Sequence, residues 1–287
     1  MNILILGVTG MLGNAVFKQF FGKAHFNAWG TLRSPNGKRC FPRSMHKGLH
    51  SNVDVLNHDS LVSIVEQARP EVVINCVGLI KQLADANDPL AVLPINAMLP
   101  HRLANVCALV GARLIHISTD CVFRGDKGLY SEADQSDALD LYGKSKYIGE
   151  LHDVKHAVTL RTSIIGHELD SHNALIDWFL SQNEGASIKG YEKAIFSGLP
   201  TVELARVIRD IVIPAKEMHG LYHVSADPID KLSLLRIVAD VYKKQIEIIP
   251  DKDVCIDRSL DSSRFRSETQ YIPPKWPELI ELMYRYQ

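Results

Sequence analysis

Short runs of apolar residues alternate with longer amphipathic stretches over the first 165 positions of the chain. Ile3–Leu6 is apolar throughout and ends in a glycine-rich turn, so a strand is expected there, followed by a helix to about Phe21. The same reading predicts strands at Phe26–Thr31, Val53–Leu56, Val72–Val77, Arg113–Ser118 and Val158–Ile165. Between them it predicts helices capped by Asp59 and stopped at Pro70, over Pro89–Val110, and from about Leu139 to His152. Strands that are apolar on both faces belong to a parallel sheet covered by helices, and the repeating βαβ order makes that sheet doubly wound.

Beyond Gly166 the pattern loosens. A helix is expected at Ala174–Gln182, then a turn-rich stretch to Pro200. Thr201 caps a helix to Ile213 with Leu204, Val207, Ile208 and Ile211 on one face, and Gly220–Val224 reads as a strand. Ser233–Tyr242 reads as a helix, Ile246–Ile249 as a strand, and a last helix follows Pro277. The expected organisation is a dinucleotide-binding domain over 1–165, to which the chain returns at about 200–224, and a smaller substrate-binding portion over 166–287. No period of 20 to 50 residues points to a repeat fold.

Composition narrows the functional classes. The 287 residues are 46% hydrophobic and 23% charged, enough for a core that needs no metal or disulfide staple. Thirty-two basic against 33 acidic residues give a net charge of −1, without the basic excess of a nucleic-acid-binding protein. The five cysteines form no CxxC pair and read as reduced thiols. With no leader-like N-terminus and no run of about 18 apolar residues, a cytoplasmic protein without membrane attachment is expected.

The first strand runs into Gly7-Val8-Thr9-Gly10-Met11-Leu12-Gly13. Glycines after a strand and before a helix serve a tight turn, close approach to a pyrophosphate, and close helix–strand packing. The helix N-terminus adds free N–H groups for the anion. The spacing is GxxGxxG rather than GxGxxG, and turns also use glycine for conformational reasons alone. A Rossmann-type dinucleotide site is the expectation. At the end of the second strand an acid would favour NAD, whereas this chain has Thr31-Leu32-Arg33-Ser34 and then Lys38-Arg39. NADPH is therefore expected, with NADH left open and Arg33 the candidate for the 2′-phosphate.

Tyr142-Gly143-Lys144-Ser145-Lys146 sets a phenol and an ammonium on one face of a predicted helix. A phenol with a pKa near 10 is a poor acid or base at neutral pH, and a neighbouring ammonium lowers that value. Upstream, Ile115-His116-Ile117-Ser118-Thr119-Asp120 ends a strand with hydroxyl groups at the sheet edge where ligands bind.

These motifs, with Asn75-Cys76-Val77-Gly78, Asn96, Ser118-Thr119-Asp120-Cys121-Val122-Phe123, Arg161-Thr162-Ser163, Gly198-Leu199-Pro200-Thr201 and Asp257–Arg264, resemble the extended short-chain dehydrogenase/reductases. Within that family the nearest likeness is to the dTDP-4-dehydrorhamnose reductases and related nucleotide-sugar 4-keto reductases. The resemblance implies that Thr119 binds the substrate carbonyl, Tyr142 gives it a proton, and Lys146 lowers the Tyr142 pKa and holds the nicotinamide ribose. It implies a pyrophosphate cradle of Gly7, Thr9, Gly10, Met11, Leu12 and Gly13, with Asp54 and Val55 near the adenine. Cys76, Val77, Gly78 and Asn96 would line the rest of the cofactor site. Thr119, Cys121, Ile164 and Arg264 would face the sugar.

Cys121 stands where the rhamnose enzymes carry Tyr in STDYVF, and Ile164 where they usually carry Trp. A bulkier sugar, with a 2-acetamido group and a UDP carrier, is the expected consequence. The implied function is NADPH-dependent reduction of a nucleotide-linked 4-keto-6-deoxyhexose for surface polysaccharide. Alternatives are an epimerase or dehydratase of the same fold and a non-catalytic NADP-binding regulatory subunit. A homodimer is left open. His152/His156 and His219/His223 have zinc-like spacings, but nothing completes either set, so no metal is expected. Trp178 and Phe179 are weighed as a base-stacking pair and read as core.

Overall fold

The computed structural model describes residues 1–80, 84–170 and 173–286. The first part runs β1 (Asn2–Leu6), α1 (Met11–Phe20), β2 (Asn27–Thr31), β3 (Leu49–His50), α2 (His58–Ala68), β4 (Val72–Asn75), α3 (Pro89–Val92), α4 (Leu99–Val110), β5 (Arg113–Thr119), α5 (Leu141–Ile148) and β6 (Ala157–Thr162). It continues through β7 (Ile164–Ile165), α6 (Leu175–Leu180), β8 (Ser187–Phe196), β9 (Leu199–Pro200), α7 (Thr201–Val207) and β10 (Gly220–His223). The chain ends with β11 (Ile229–Asp230), α8 (Lys231–Tyr242), β12 (Glu247–Asp257), α9 (Ser263–Thr269) and α10 (Trp276–Arg285).

The doubly wound sheet expected from the apolar runs is present. Seven strands lie in the order β10-β6-β5-β4-β1-β2-β3, and the pairs from β3 across to β5 are parallel. Ile3 to Leu6 and all of β4 are buried because helices cover both faces. Leu4, Leu6 and Val73 meet Leu61, Ile64, Leu103 and Cys107 in one core cluster. The order reverses between β1 and β4, so the ends of those two strands form a switch point, the place where such sheets bind ligands.

In the first 110 residues three details differ from the sequence reading. The third strand is Leu49–His50, which pairs with Gly30 and Thr31. Val53–Leu56 is a turn instead, with the Asp54 carboxylate accepting from the Leu56 N–H at 2.9 Å. Asn57, not Asp59, caps α2, its Oδ1 accepting from Ser60 N–H. The long helix expected over Pro89–Val110 is divided, because Pro94 and Pro100 have no N–H to donate and the chain widens over Leu93–Met98.

The chain divides into two compact units: Met1–Ser118 with Leu139–Leu160 and Ala205–Leu221, and Thr119–Ala138 with Arg161–Leu204 and Tyr222–Gln287. Residues 119–138 and 161–165 thus group with the second unit rather than with the rest of 1–165, and for 119–138 the reason is local. Val122, Phe123 and Tyr130 share a buried cluster with Leu260, and the Tyr130 hydroxyl accepts from the N–H groups of Gly125, Asp126 and Lys127. The second unit also holds a three-stranded sheet, β11-β8-β12. Its central strand β8 falls in the stretch read as turn-rich. Among the described residues no helix is long and apolar enough to cross a membrane.

Candidate active site

The glycine turn follows from β1 delivering the chain to the switch point. Gly7 has φ +82°, and a Cβ there would stand 2.9 Å from the Val77 side chain. A Cβ at Gly13 would lie 2.1 Å from the Gly7 carbonyl oxygen, so only glycine lets α1 start this close to β1. Gly10 carries neither constraint; its nearest neighbour would be 3.4 Å away, which leaves that side of the turn open. Gly10 caps α1 without a side-chain hydrogen bond, the first turn holds no acid, and Asn14 is the first N–H to bond back to Gly10. The amides of Met11, Leu12 and Gly13 lie in that first turn, where an α-helix supplies no acceptor. This cradle fits a dinucleotide pyrophosphate.

Other residues expected around a cofactor lie in the same unit. Arg33 is exposed just past β2. Gly37, in the basic turn that follows, approaches so closely that a Cβ would sit 2.9 Å from the Thr9 methyl, seating Lys38 and Arg39 beside the glycine turn. Asp54 is exposed and Val55 packs on the core. Cys76 and Val77 continue β4; burial pushes the Cys76 thiol up to about 12 despite the Lys146 charge. Asn96 is buried, its Oδ1 accepting from Leu79 N–H at 2.8 Å and its Nδ2 donating to Leu79 O and Ser145 Oγ. It holds the loop after Gly78 against α5.

Asp140 caps α5 by accepting from Gly143 N–H at 2.7 Å, which starts the helix just before Tyr142. Tyr142 is half-buried, and Lys146 follows it by one turn at 5% exposure. The Lys146 ammonium donates to the Ile117 carbonyl of β5 at 2.7 Å. Burial lowers its pKa to about 8, while the negative charge of Glu150 works in the opposite direction. Ser118 donates to Glu150 Oε1 at 2.6 Å, so its hydroxyl is engaged within this unit. Glu150 was not singled out by sequence, although its spacing extends the Tyr142–Lys146 series by four more positions.

The second unit holds Thr119, Cys121, Ile164 and Arg264. The Thr119 hydroxyl donates to Asp120 Oδ1 and accepts from Cys121 N–H, both at 3.2 Å. Burial raises the Asp120 carboxyl, against the Arg258 charge and hydrogen bonds from Thr119, Cys121 and Ser163. Arg258, in the Asp257–Arg264 segment, donates to Phe123 O at 2.7 Å and reaches Cys121 Sγ at 3.9 Å. Arg258 carries no signal of its own in the sequence, though it lies inside the Asp257–Arg264 motif. Ile164 is half-buried and pairs with Leu199. Arg264 is exposed, stacks 4.2 Å over the Tyr222 ring and pairs with Glu268.

The histidines with zinc-like spacing have other partners: His156 bonds Ala104 O, and both ring nitrogens of His223 are taken by Arg161 and Tyr130 O. Phe179 is fully buried and Trp178 is 40% exposed. A cavity of about 570 Å³ opens at the opposite, amino-terminal strand ends, near Val72 and Arg113. The Arg113 guanidinium there is already bonded to the carbonyls of Val212 and Met218.

A family model described as the RmlD substrate binding domain matches residues 1–278. Among similar proteins is methionine adenosyltransferase 2 subunit beta of Danio rerio, 28% identical over 252 residues, covering 84% of this chain and 74% of that protein. The dTDP-4-dehydrorhamnose reductase of Mycolicibacterium smegmatis is 31% identical over 151 residues, covering 52% of this chain and 40% of that protein. A solved dTDP-4-dehydrorhamnose reductase from Bacillus anthracis, in complex with NADP, superposes with a TM-score of 0.79 at 22% identity over 99% of each chain. At that identity the likeness is one of fold.

Proposed function

This chain belongs to the family of the RmlD substrate binding domain, and from that premise we propose an NADPH-dependent reductase of a nucleotide-linked 4-keto-6-deoxyhexose. The observation that carries this reading is Lys146. A lysine buried against a strand carbonyl, one helix turn from a half-buried tyrosine, is costly for a fold and useful for proton transfer.

Bound at the glycine turn, reduced NADP supplies the hydride for the keto carbon. The chain's own residues do the rest. The amides of Met11, Leu12 and Gly13 bind the pyrophosphate, and Arg33 with Lys38 attracts the 2′-phosphate. Tyr142 gives its phenolic proton to the keto oxygen as the carbonyl becomes an alcohol, and Lys146 stabilises the phenolate left behind. Thr119 orients the keto oxygen, with Asp120 fixing its hydroxyl. Cys121 and Ile164, smaller than the aromatics of the rhamnose enzymes, leave room for a 2-acetamido group, and UDP is the proposed carrier.

A second reading is favoured by one observation: the Danio rerio relative is named a subunit of another enzyme. On it, the chain binds NADP and regulates a partner without turning over a sugar.

The test incubates purified protein with NADPH or NADH and a panel of dTDP- and UDP-linked 4-keto-6-deoxy sugars, with and without 2-acetamido groups. The expected result is NADPH oxidation with the UDP-linked 2-acetamido sugar at least about tenfold ahead in kcat/KM. Tenfold preference for the dTDP sugar would make this a rhamnose-type reductase. NADPH binding with no turnover across the panel selects the subunit reading.

A further inference from the structure

Lys146 has a buried acidic neighbour that the mechanism above does not use. Glu150 is 3% exposed, and a carboxylate so far from water is unfavourable unless something compensates it. The helical turn continues past α5 to place it there. Gly149 keeps a right-handed helical backbone, and Glu150 N–H bonds back to Tyr147 O at 3.1 Å. Because Gly149 has no side chain, the turn presses onto the Asn96 carbonyl; a Cβ would stand 2.1 Å from that oxygen. Glu150 thus follows Lys146 by four positions, and both side chains are buried.

We propose that Glu150 is a positioning residue of this site, a buried counter-charge, anchored by Ser118, that holds the Lys146 side chain as an ammonium against the Ile117 carbonyl. The proposal rests on the role given to Lys146 above. Its anchor is short: Ser118 Oγ donates to Glu150 Oε1 at 2.6 Å. On the other oxygen, half-exposed His152 approaches with Nε2 3.5 Å from Oε2.

The remaining groups that act on Lys146 do not supply a negative charge at neutral pH. Burial holds the Cys76 thiol protonated, with its pKa up to about 12. His116, on β5, is kept neutral by burial and by the Lys146 charge, well below its ordinary value. Glu150 is the anion that opposes the desolvation of Lys146, whose pKa stands at about 8.

The experiment is a lysine titration by NMR on the intact chain labelled at lysine Cε, with the Lys146 signal identified by its loss in Lys146→Arg. In the parent protein the Lys146 midpoint is expected near 8. In Glu150→Gln it should fall by about one unit or more. An unchanged midpoint in a folded Glu150→Gln protein overturns the proposal, even if the variant melts earlier, since a merely structural role would move the melt and not the titration. Should Glu150→Gln fail to fold, Glu150→Asp retracts the charge by one methylene. A smaller downward shift then supports the proposal, and no shift overturns it. Neither cofactor nor sugar enters this measurement, so a chain that proves to have no reductase activity still answers it. Where turnover is found, the basic limb of its pH profile should move down with the Lys146 midpoint in Glu150→Gln.

Discussion

In the first unit, Lys146, Glu150, Ser118 and His116 are buried on β5 and around α5, and their polar atoms are not all balanced. The ammonium of Lys146 is easier to deprotonate than an exposed lysine, and His116 Nε2 has no hydrogen-bond partner among the described residues. In the second unit, Arg161 and His223 are buried as deeply, yet each is satisfied. Arg161 donates to His223 Nε2 at 2.8 Å and lies 4.9 Å over the Phe123 ring, and the other His223 nitrogen donates to Tyr130 O. Buried polar groups with complete partners hold a structure together; a buried polar atom left unpaired, as at His116 Nε2, marks where chemistry is expected. The two units bury similar side chains to different ends.

The sharpest way to break this contrast is Tyr142→Phe. It removes one hydroxyl from the first unit, and turnover should fall about 10²–10⁴-fold with little change in thermal midpoint or NADPH affinity. A variant keeping half the parental kcat would remove Tyr142 from the proposed role.

Arg161→Met should do the reverse in the second unit. It strips the donor from His223 and the cation from Phe123, and urea unfolding should show a loss of about 3 kcal/mol. A loss below about 1 kcal/mol would mean that the network is ornamental rather than structural.

A more gradual effect, smaller within any one pH unit, comes with pH. Burial and the Arg161 charge pull the His223 pKa from 6.5 to about 3. The unfolded chain takes up a proton below pH 6.5 that the folded chain refuses until about 3, so this group lowers stability as pH falls through that window. The slope contributed approaches about 1.4 kcal/mol per pH unit. Urea midpoints at several pH values should decline less steeply in His223→Gln than in the parent; parallel declines would contradict the assignment.

Legibility followed burial. β1 and β4 are apolar at nearly every position because both faces are covered, and the sequence pattern marks such strands plainly. β8 escaped because most of its side chains are exposed or half-exposed, and because Gly190 interrupts it. That glycine is there for packing: a Cβ would lie 2.5 Å from Leu232 and 2.6 Å from Ile248. The sequence pattern marks β12 only over Ile246–Ile249, whereas it runs to Asp257 past a bulge between Asp251 and Cys255. Its exposed, charged residues carry no apolar signal, and its pairing with β8 is what keeps it extended.

Residue order alone determined the doubly wound sheet, the glycine turn at its switch point and the one-turn spacing of Tyr142 and Lys146, since each depends on periodicity or on local backbone geometry. What only the tertiary structure decided was how residues far apart in the chain share a charge or a contact. Ser118 anchors Glu150 across a strand and a helix, and Arg258 reaches Cys121 and Phe123 from the far end of the chain. Gly149 and Gly190 are glycines because a neighbour elsewhere in the fold leaves no room for a Cβ. Such choices answer to packing and to the removal of water around charge, and neither has a period along the sequence.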